Sequence, residues 1–263
     1  RSSLVENTHQ MEMHLHTAIA SKQFEIFYQP QVNLKGEISG FEALLRWNHP
    51  ERGLVSPLDF IPILESNGLI IPVSEWLVND VCLQIDHWKK KGQWKSHWSI
   101  SVNISTVHFY HKNFLALFKD VINRYNIPTK NLCIEITESI AIENIAFAID
   151  RLTNIKKMGI SVSLDDFGTG YSSFSYLKDL PISTIKIDRS FIKELEIKKD
   201  DRAILSAINT LAQSLNLNVI AEGVENTEQV DIATQCGCDI FQGFYFYRPM
   251  TVKSLEKDII TKT

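Results

Sequence analysis

The chain has 263 residues, with 27 Lys plus Arg against 31 Asp plus Glu and a formal net charge of −4. Hydrophobic residues make up 44% and charged residues 22%, the proportions of a globular domain, which excludes disordered, collagen-like and coiled-coil architectures. The acidic balance argues against a surface that coats nucleic acid, and no apolar run approaches the roughly 20 residues of a membrane-spanning helix.

Residues 1–22 read as a lead-in helix, because Met11, Leu15 and Ile19 recur at intervals of four and Ser21-Lys22-Gln23 ends the run. The chain opens on Arg1 with no charged-then-apolar leader, which suggests a fragment of something longer. After this helix, short β-rich runs alternate with amphipathic stretches. The spacing predicts strands over 24–32, 39–47, 98–105, 132–138, 161–166, 184–188, 218–222 and 239–243. It predicts helices over 73–90, 114–125, 142–157, 202–215 and 227–235, with another beginning in 56–62.

Strands alternating with helices in that number point to an α/β fold, a TIM-like (β/α)8 barrel. The first two strands are joined only by Leu34-Lys35-Gly36-Glu37, which suits a hairpin, whereas a parallel crossover takes about a dozen residues. An antiparallel first strand is therefore expected. An open doubly wound sheet is the alternative, but no Gly-x-Gly-x-x-Gly follows an early strand. With no repeat or linker dividing it, the chain reads as lead-in helix 1–22, barrel 23–252, and a tail or helix 253–263 packing on the barrel.

Cys82, Cys133, Cys236 and Cys238 form no Cys-x-x-Cys pair and read as buried small hydrophobes in a reducing compartment. His14 and His16 point to different sides of a helix, and His108 and His111 share a face with no third ligand nearby. Both pairs read as helix-surface histidines.

The polar residues of the strands carry the functional signal. Strand side chains alternate between faces, so parity assigns them. Ile100, Val102 and Ile104 oppose Ser101, Asn103 and Ser105, while Leu132, Ile134 and Ile136 oppose Cys133, Glu135 and Thr137. Likewise Val162 and Leu164 oppose Ser161, Ser163 and Asp165, and Ile185 and Ile187 oppose Thr184, Lys186 and Asp188. A barrel's outer face packs on helices, so the polar set points inward. Glu42, Asn103, Glu135, Asp165, Lys186, Glu222 and Gln242 then gather toward the C-terminal strand ends, where such barrels carry their active sites.

Carboxylates brought together repel, and burial adds to the cost; either some are protonated or cations bind. Hard oxygen donors with an Asn and no His or Cys suit Mg²⁺ or Mn²⁺ rather than zinc. The adjacent pair Asp165 and Asp166 at a strand end can serve two ions, since neighbouring side chains diverge. The bland alternative is a set of solvated strand-end caps and salt bridges within the barrel. It explains one such residue better than seven of matched parity.

Glu42-Ala43-Leu44-Leu45-Arg46-Trp47 resembles the signature of the EAL-domain family, the cyclic-di-GMP phosphodiesterases. The similarity continues through Tyr28-Gln29-Pro30, Asn103-Ile104-Ser105, Glu135-Ile136-Thr137-Glu138 and the run Asp165-Asp166-Phe167-Gly168-Thr169-Gly170-Tyr171-Ser172-Ser173. Lys186-Ile187-Asp188-Arg189-Ser190-Phe191, Ala221-Glu222-Gly223-Val224-Glu225 and Gln242-Gly243-Phe244-Tyr245-Phe246 complete it, over roughly residues 20–252. A three-letter match alone would carry nothing, whereas eight motifs in order are specific. The family fold is a barrel with an antiparallel first strand.

The resemblance implies Glu42, Asn103, Glu135 and Asp165 as ligands of one metal, with Asp165 shared with a second ion that also uses Asp166. Two such ions, about 3.5–4 Å apart, polarise a bridging water for in-line attack on one linkage of cyclic-di-GMP, giving linear 5′-pGpG. It also implies that Lys186 orients that water, though an internal salt bridge is compatible with the same residue. Glu222 would help deprotonate or position the water directly or through the metal shell, and Gln242 would complete the polar ring. Arg46 would contact phosphate, its alternative being an exposed strand-end arginine, with Gln29, Leu45 and Asp188 as further substrate contacts. The segment 166–173 is either a plain turn or, by resemblance, the loop that couples metal binding to homodimerisation, tethered by Glu138. The resemblance further implies Mg²⁺ or Mn²⁺ as cofactor, inhibition by Ca²⁺, a role in second-messenger signalling and biofilm control, no nucleic-acid partner, and a cytoplasmic location. A membrane would be reached only through segments outside this chain. Some domains of this fold act instead as nucleotide receptors or interaction modules, which decay of the metal set would betray; no departure is seen at these positions.

Overall fold

The computed structural model describes residues 2–169 and 174–262. The short connection after residue 33 makes the expected hairpin. Strands β1 (Phe24–Asn33) and β2 (Ile38–His49) pair antiparallel, with Phe24 opposite Trp47 and Gln29 opposite Glu42. Asn33 Oδ1 accepts hydrogen bonds from the backbone N–H groups of Lys35 and Glu37, and Gly36 takes the left-handed φ of +75° that closes the turn.

A short β3 (Gly53–Val55) folds back on the end of β2, and β4 (Ile100–Asn103) then lies parallel to β2. The series continues in parallel through β5 (Leu132–Thr137), β6 (Ser161–Phe167), β7 (Thr184–Ile187), β8 (Asn218–Glu222) and β9 (Ile240–Gln242). β9 pairs antiparallel with β1, and the β1–β2 pairing closes the ring, leaving β3 outside it. β1 is thus antiparallel to both neighbours, as the hairpin requires. β3 was not anticipated, because three residues show no periodicity and the pairing exists only once β2 extends past Trp47 to His49.

The helices are α1 (Ser2–Ala18), α2 (Pro57–Ser66), α3 (Ile70–Lys90), α4 (Thr106–Tyr110), α5 (Phe114–Tyr125), α6 (Glu138–Glu143), α7 (Ile145–Lys157), α8 (Arg189–Lys193), α9 (Lys199–Ser214), α10 (Thr227–Gln235) and α11 (Val252–Asp258). Each long helix buries a stripe at helical spacing, such as Val73, Leu77, Val81, Ile85 and Trp88 on α3 or Phe114, Phe118 and Val121 on α5. Among the described residues β6 and β7 are joined without an α-helix, through the single 3₁₀ turn Phe174–Tyr176. No single helix among them is long and apolar enough to cross a membrane.

Large aromatics fill the layer between sheet and helices. Trp47, Trp88, Trp98, Tyr28, Phe41 and Phe60 are fully buried, each contributing on the order of 2–3 kcal/mol by leaving water. The indole N–H groups are paired: Trp98 Nε1 donates to Ile38 O at 3.1 Å and Trp88 Nε1 to Glu256 Oε1 at 2.9 Å, which ties α11 to α3. Met11, Leu15 and Ala18 of α1 are buried as well, and His14 of α1 meets His49 at 2.6 Å.

Two expectations from the sequence are corrected here. His108 is not a surface histidine: it is 1% exposed, beneath the ring of Phe114, because α4 runs directly into the α5 turn and is covered by it. His14 is half-buried against His49 rather than solvated. The four cysteines are unbridged; Cys82, Cys133 and Cys238 are buried as expected, whereas Cys236, at the C-terminal end of α10, is only half-buried.

Candidate active site

The alternation of β7 places Ile185 and Ile187 against the outer layer and turns Lys186 into the barrel, where it is 0% exposed. Its Nζ lies 2.6 Å from Glu135 Oε2 of β5, 2.7 Å from Glu222 Oε1 of β8, 3.2 Å from Glu42 Oε2 of β2 and 4.0 Å from Asp165 Oδ2 of β6. One ammonium therefore collects carboxylates from four strands. Asn103 Nδ2 donates to Glu42 Oε1 at 2.7 Å, and Gln242 Nε2 donates to Glu42 Oε2 at 2.5 Å and to Gln29 Oε1 at 3.0 Å. All seven residues picked out by parity meet in this constellation.

Its electrostatics follow from burial and the imbalance of charge. Burial alone would neutralise Lys186, but Glu135, Glu222, Glu42 and Asp165 outweigh it and hold the ammonium well above its usual range. Burial pushes the Glu135 carboxyl up to about 8, with Glu42 and Asp165 adding to the rise and Lys186 opposing it. Glu222 is raised for the same reason, again burial first. Burial also lifts Glu42, yet the charge of Lys186 and donors from Gln242 and Asn103 prevail, and its net direction is down. Four carboxylates around one ammonium leave the cluster with an excess of negative charge, which is why burial and mutual repulsion raise Glu135 and Glu222 together.

Asp166 departs from the expected divergence of neighbouring strand residues. Its φ is +54°, its N–H bonds Asp165 Oδ1 at 2.8 Å, and the β6–β7 pairing shifts register between Leu164 and Phe167. Alternation is broken there, so Asp165 and Asp166 both line the same two cavities. Burial, then the charges of Asp165 and Asp188, pushes the Asp166 carboxyl up to about 6.

The first cavity, about 350 Å³, is lined by Gln29, Glu42, Asp188, Glu222, Gln242 and Phe244 as well as the two aspartates. The chain leaves β9 so tightly that a Cβ on Gly243 would lie 2.2 Å from Val224 O. The second cavity, about 460 Å³, is walled by Leu45, Arg46, Pro57, Leu58, Ile61 and Asn103. Arg46 sits on the Phe27 ring at 5.4 Å and donates to Leu45 O. Glu138, first residue of α6, accepts from the Gly168 N–H at 3.3 Å and from the hydroxyl of Tyr176. It thus grips the chain on both sides of 170–173; Gly170, Tyr171, Ser172 and Ser173 lie outside the described residues.

Among the described residues no group of three His, Cys, Asp or Glu side chains stands arranged to hold a metal ion, since the carboxylate oxygens converge on Lys186 Nζ instead. The donors nevertheless fit a hard divalent cation. Glu135 Oε1 is buried without a hydrogen-bond partner, four carboxylates face one ammonium, and Asn103 turns its amide oxygen away from Glu42.

Three polar contributors escaped the sequence reading. Gln31 donates to Gln242 Oε1 at 3.0 Å, Tyr176 bonds Glu138, and the Tyr247 carbonyl accepts from Gln29 Nε2. Gln31 shares the parity of Gln29 and was findable by the same rule; the other two depend on distant chain segments meeting.

Fold and site together define an α/β-barrel protein whose strand ends form a polyacidic mouth around a buried lysine. The chain belongs to the EAL domain family, which it matches over residues 12–249. It is 41% identical over 242 residues to the bifunctional diguanylate cyclase/cyclic di-GMP phosphodiesterase MucR of Pseudomonas aeruginosa, covering 92% of this chain and 35% of that protein. It is 38% identical over 247 residues to the cyclic di-GMP phosphodiesterase PdeR of Escherichia coli, covering 94% of this chain and 37% of the relative. A solved PaMucR phosphodiesterase in complex with c-di-GMP has a TM-score of 0.90 and 40% identity, covering 94% of this chain and 99% of that one. The chain spans about a third of the length of these curated relatives.

Proposed function

We propose that the chain is a metal-dependent phosphodiesterase that hydrolyses cyclic-di-GMP to linear 5′-pGpG in second-messenger signalling. The observation that carries this reading is the convergence of Glu42, Glu135, Asp165 and Glu222 on the buried Lys186, at the mouth where two cavities meet. Similarity to relatives named as cyclic di-GMP phosphodiesterases supports the substrate.

Glu42, Asn103, Glu135 and Asp165 would hold one divalent cation, Mg²⁺ or Mn²⁺, and Asp165 with Asp166 a second, with Glu222 beside them. Bound there, such cations supply Lewis-acid polarisation of the phosphodiester and a lowered pKa for water. Lys186 brings a fixed positive charge, kept protonated by its four carboxylates, to the place where negative charge develops during in-line attack. Glu222, lifted by burial, is placed to take the proton of the attacking water. The P–O3′ bond breaks, the leaving O3′ takes a proton, and the water oxygen stays on phosphorus as the new 5′-phosphate oxygen.

The two cavities share Asp165 and Asp166, which suits a ligand of two bulky halves joined through phosphates. The apolar wall of Leu45, Pro57 and Leu58 takes one base, Arg46 a phosphate, and Gln29 and Asp188 contact the other half. The segment 166–173, gripped by Glu138, is the proposed homodimer contact. Incubation of the chain with cyclic-di-GMP and Mg²⁺, followed by chromatography, is expected to yield pGpG. Binding without product at high protein concentration would replace this reading by a receptor, and neither binding nor product would end it.

A further inference from the structure

Inside the barrel a row of hydrogen-bonded amides runs from Gln31 through Gln242 to Gln29. Gln31, 5% exposed on β1, donates from Nε2 to Gln242 Oε1 at 3.0 Å. Gln242 spends its NH2 on Glu42 Oε2 at 2.5 Å and on Gln29 Oε1 at 3.0 Å, and Gln29 in turn donates to the Tyr247 carbonyl at 3.0 Å. A primary amide has one acceptor oxygen and two N–H donors, so rotating the Gln242 amide by half a turn would exchange them. Its oxygen would then face the Glu42 carboxylate and the Gln29 oxygen, acceptor against acceptor, while its NH2 would face the NH2 of Gln31.

We propose that Gln31 is a positioning residue: by donating to Gln242 it locks that amide with its NH2 toward Glu42. This inference rests on the proposed function, in which Glu42 holds a cation. Gln31 touches neither substrate nor the reacting atoms; it acts through Gln242. Its donation keeps two donors on Glu42 Oε2, from Gln242 and from Lys186 at 3.2 Å, so the carboxylate is held in one orientation. When the donor is lost, the Gln242 oxygen is left without its partner and the preference for the present orientation weakens by that hydrogen bond, loosening the hold on Glu42.

The test is a double-mutant cycle of Gln31→Met and Gln242→Met, with Gln31→Lys as the donor-restoring variant. For cyclic-di-GMP and saturating Mg²⁺, Gln31→Met is expected to lower kcat about tenfold with KM within about twofold, the size of one lost hydrogen bond expressed at the reacting centre. Gln31→Lys should recover most of that loss, because only a donor is required, and in the Gln242→Met background Gln31→Met should have no further effect. Equal losses for Met and Lys at position 31, or full additivity with Gln242→Met, would overturn the inference by making the role one of packing. Wild-type kcat in Gln31→Met would overturn it as well. If the wild-type chain turns over no cyclic-di-GMP, the proposed function falls, and the same cycle is scored on the Mn²⁺-induced rise in melting temperature. A smaller rise in Gln31→Met, recovered in Gln31→Lys, then supports the inference, and a wild-type melting temperature that Mn²⁺ does not move overturns it.

Discussion

Lys186 on β7 reaches past the intervening strand β6 to bring Nζ within 2.6 Å of Glu135 Oε2 on β5, with both side chains fully buried. A pair spanning the inside of a closed sheet is out of reach of bulk water. Its worth depends on the remaining carboxylates and on any cation that joins them.

Replacing Lys186 by Met keeps the volume and removes the charge. Breaking a buried pair in this way leaves acids uncompensated and should cost about 3–5 kcal/mol in urea unfolding without divalent cations. Turnover of cyclic-di-GMP should fall at least about a hundredfold, as when a stabilising charge is removed from a transition state. Near-normal rates in Lys186→Met would refute its assigned role.

Mg²⁺ or Mn²⁺ should raise the melting temperature of the chain relative to EDTA, since ligands that bind only the folded state stabilise it, by about 2.7 kcal/mol at a hundred times Kd. The rise should shrink in Glu135→Gln, which removes the carboxylate whose Oε1 has no partner. Ca²⁺ should give a rise of its own while suppressing product, because its looser coordination shifts the water geometry. Scanning fluorimetry with each cation decides this; identical curves with and without cation would dismiss the proposed ligand set.

Tyr176→Phe deletes the hydroxyl that bonds Glu138 and spares the bond from the Gly168 N–H to that carboxylate. A stability loss of about 1–2 kcal/mol is expected. Turnover should fall with it if Glu138 holds the 166–173 segment for activity. Lost stability with unchanged kcat would confine Tyr176 to a structural role.

Acid should weaken the fold through His108. Burial, then the charges of His111 and Arg151, lowers its pKa from 6.5 to about 4, and its Nδ1 is buried without a partner. The folded value lies below the unfolded one, so the unfolded chain binds more protons between them. This contribution is therefore complete above pH 6.5 and is lost as pH falls toward 4, by about 3 kcal/mol at most. His108→Phe, which puts a ring without titratable nitrogens where the imidazole centroid lies 5.3 Å from that of Phe114, should leave neutral-pH stability equal or higher and flatten the acid limb of a urea-midpoint profile. An unchanged acid limb would show that other groups carry it.

The residues themselves determined a good deal. Alternation is steric and local, so the inward face of Glu135, Asp165 and Lys186 was legible before any contact was known, and four residues between 33 and 38 sufficed for an antiparallel first strand. Parity says which face a side chain takes, not how far it lies from another strand's side chain. That Lys186 binds Glu135, Glu222 and Glu42 at once, that Gln31 polarises Gln242, and that Tyr176 reaches Glu138 across 38 residues of chain all depend on how the ring closes and its strands stagger. Asp166 escaped the alternation rule because a left-handed backbone at a strand end is set by the turn that follows and by the register shift against β7. His108 looked exposed on its own helix and is buried because a neighbouring helix covers it. Periodicity along one segment fixes orientation, whereas distance and burial are properties of several segments packed together.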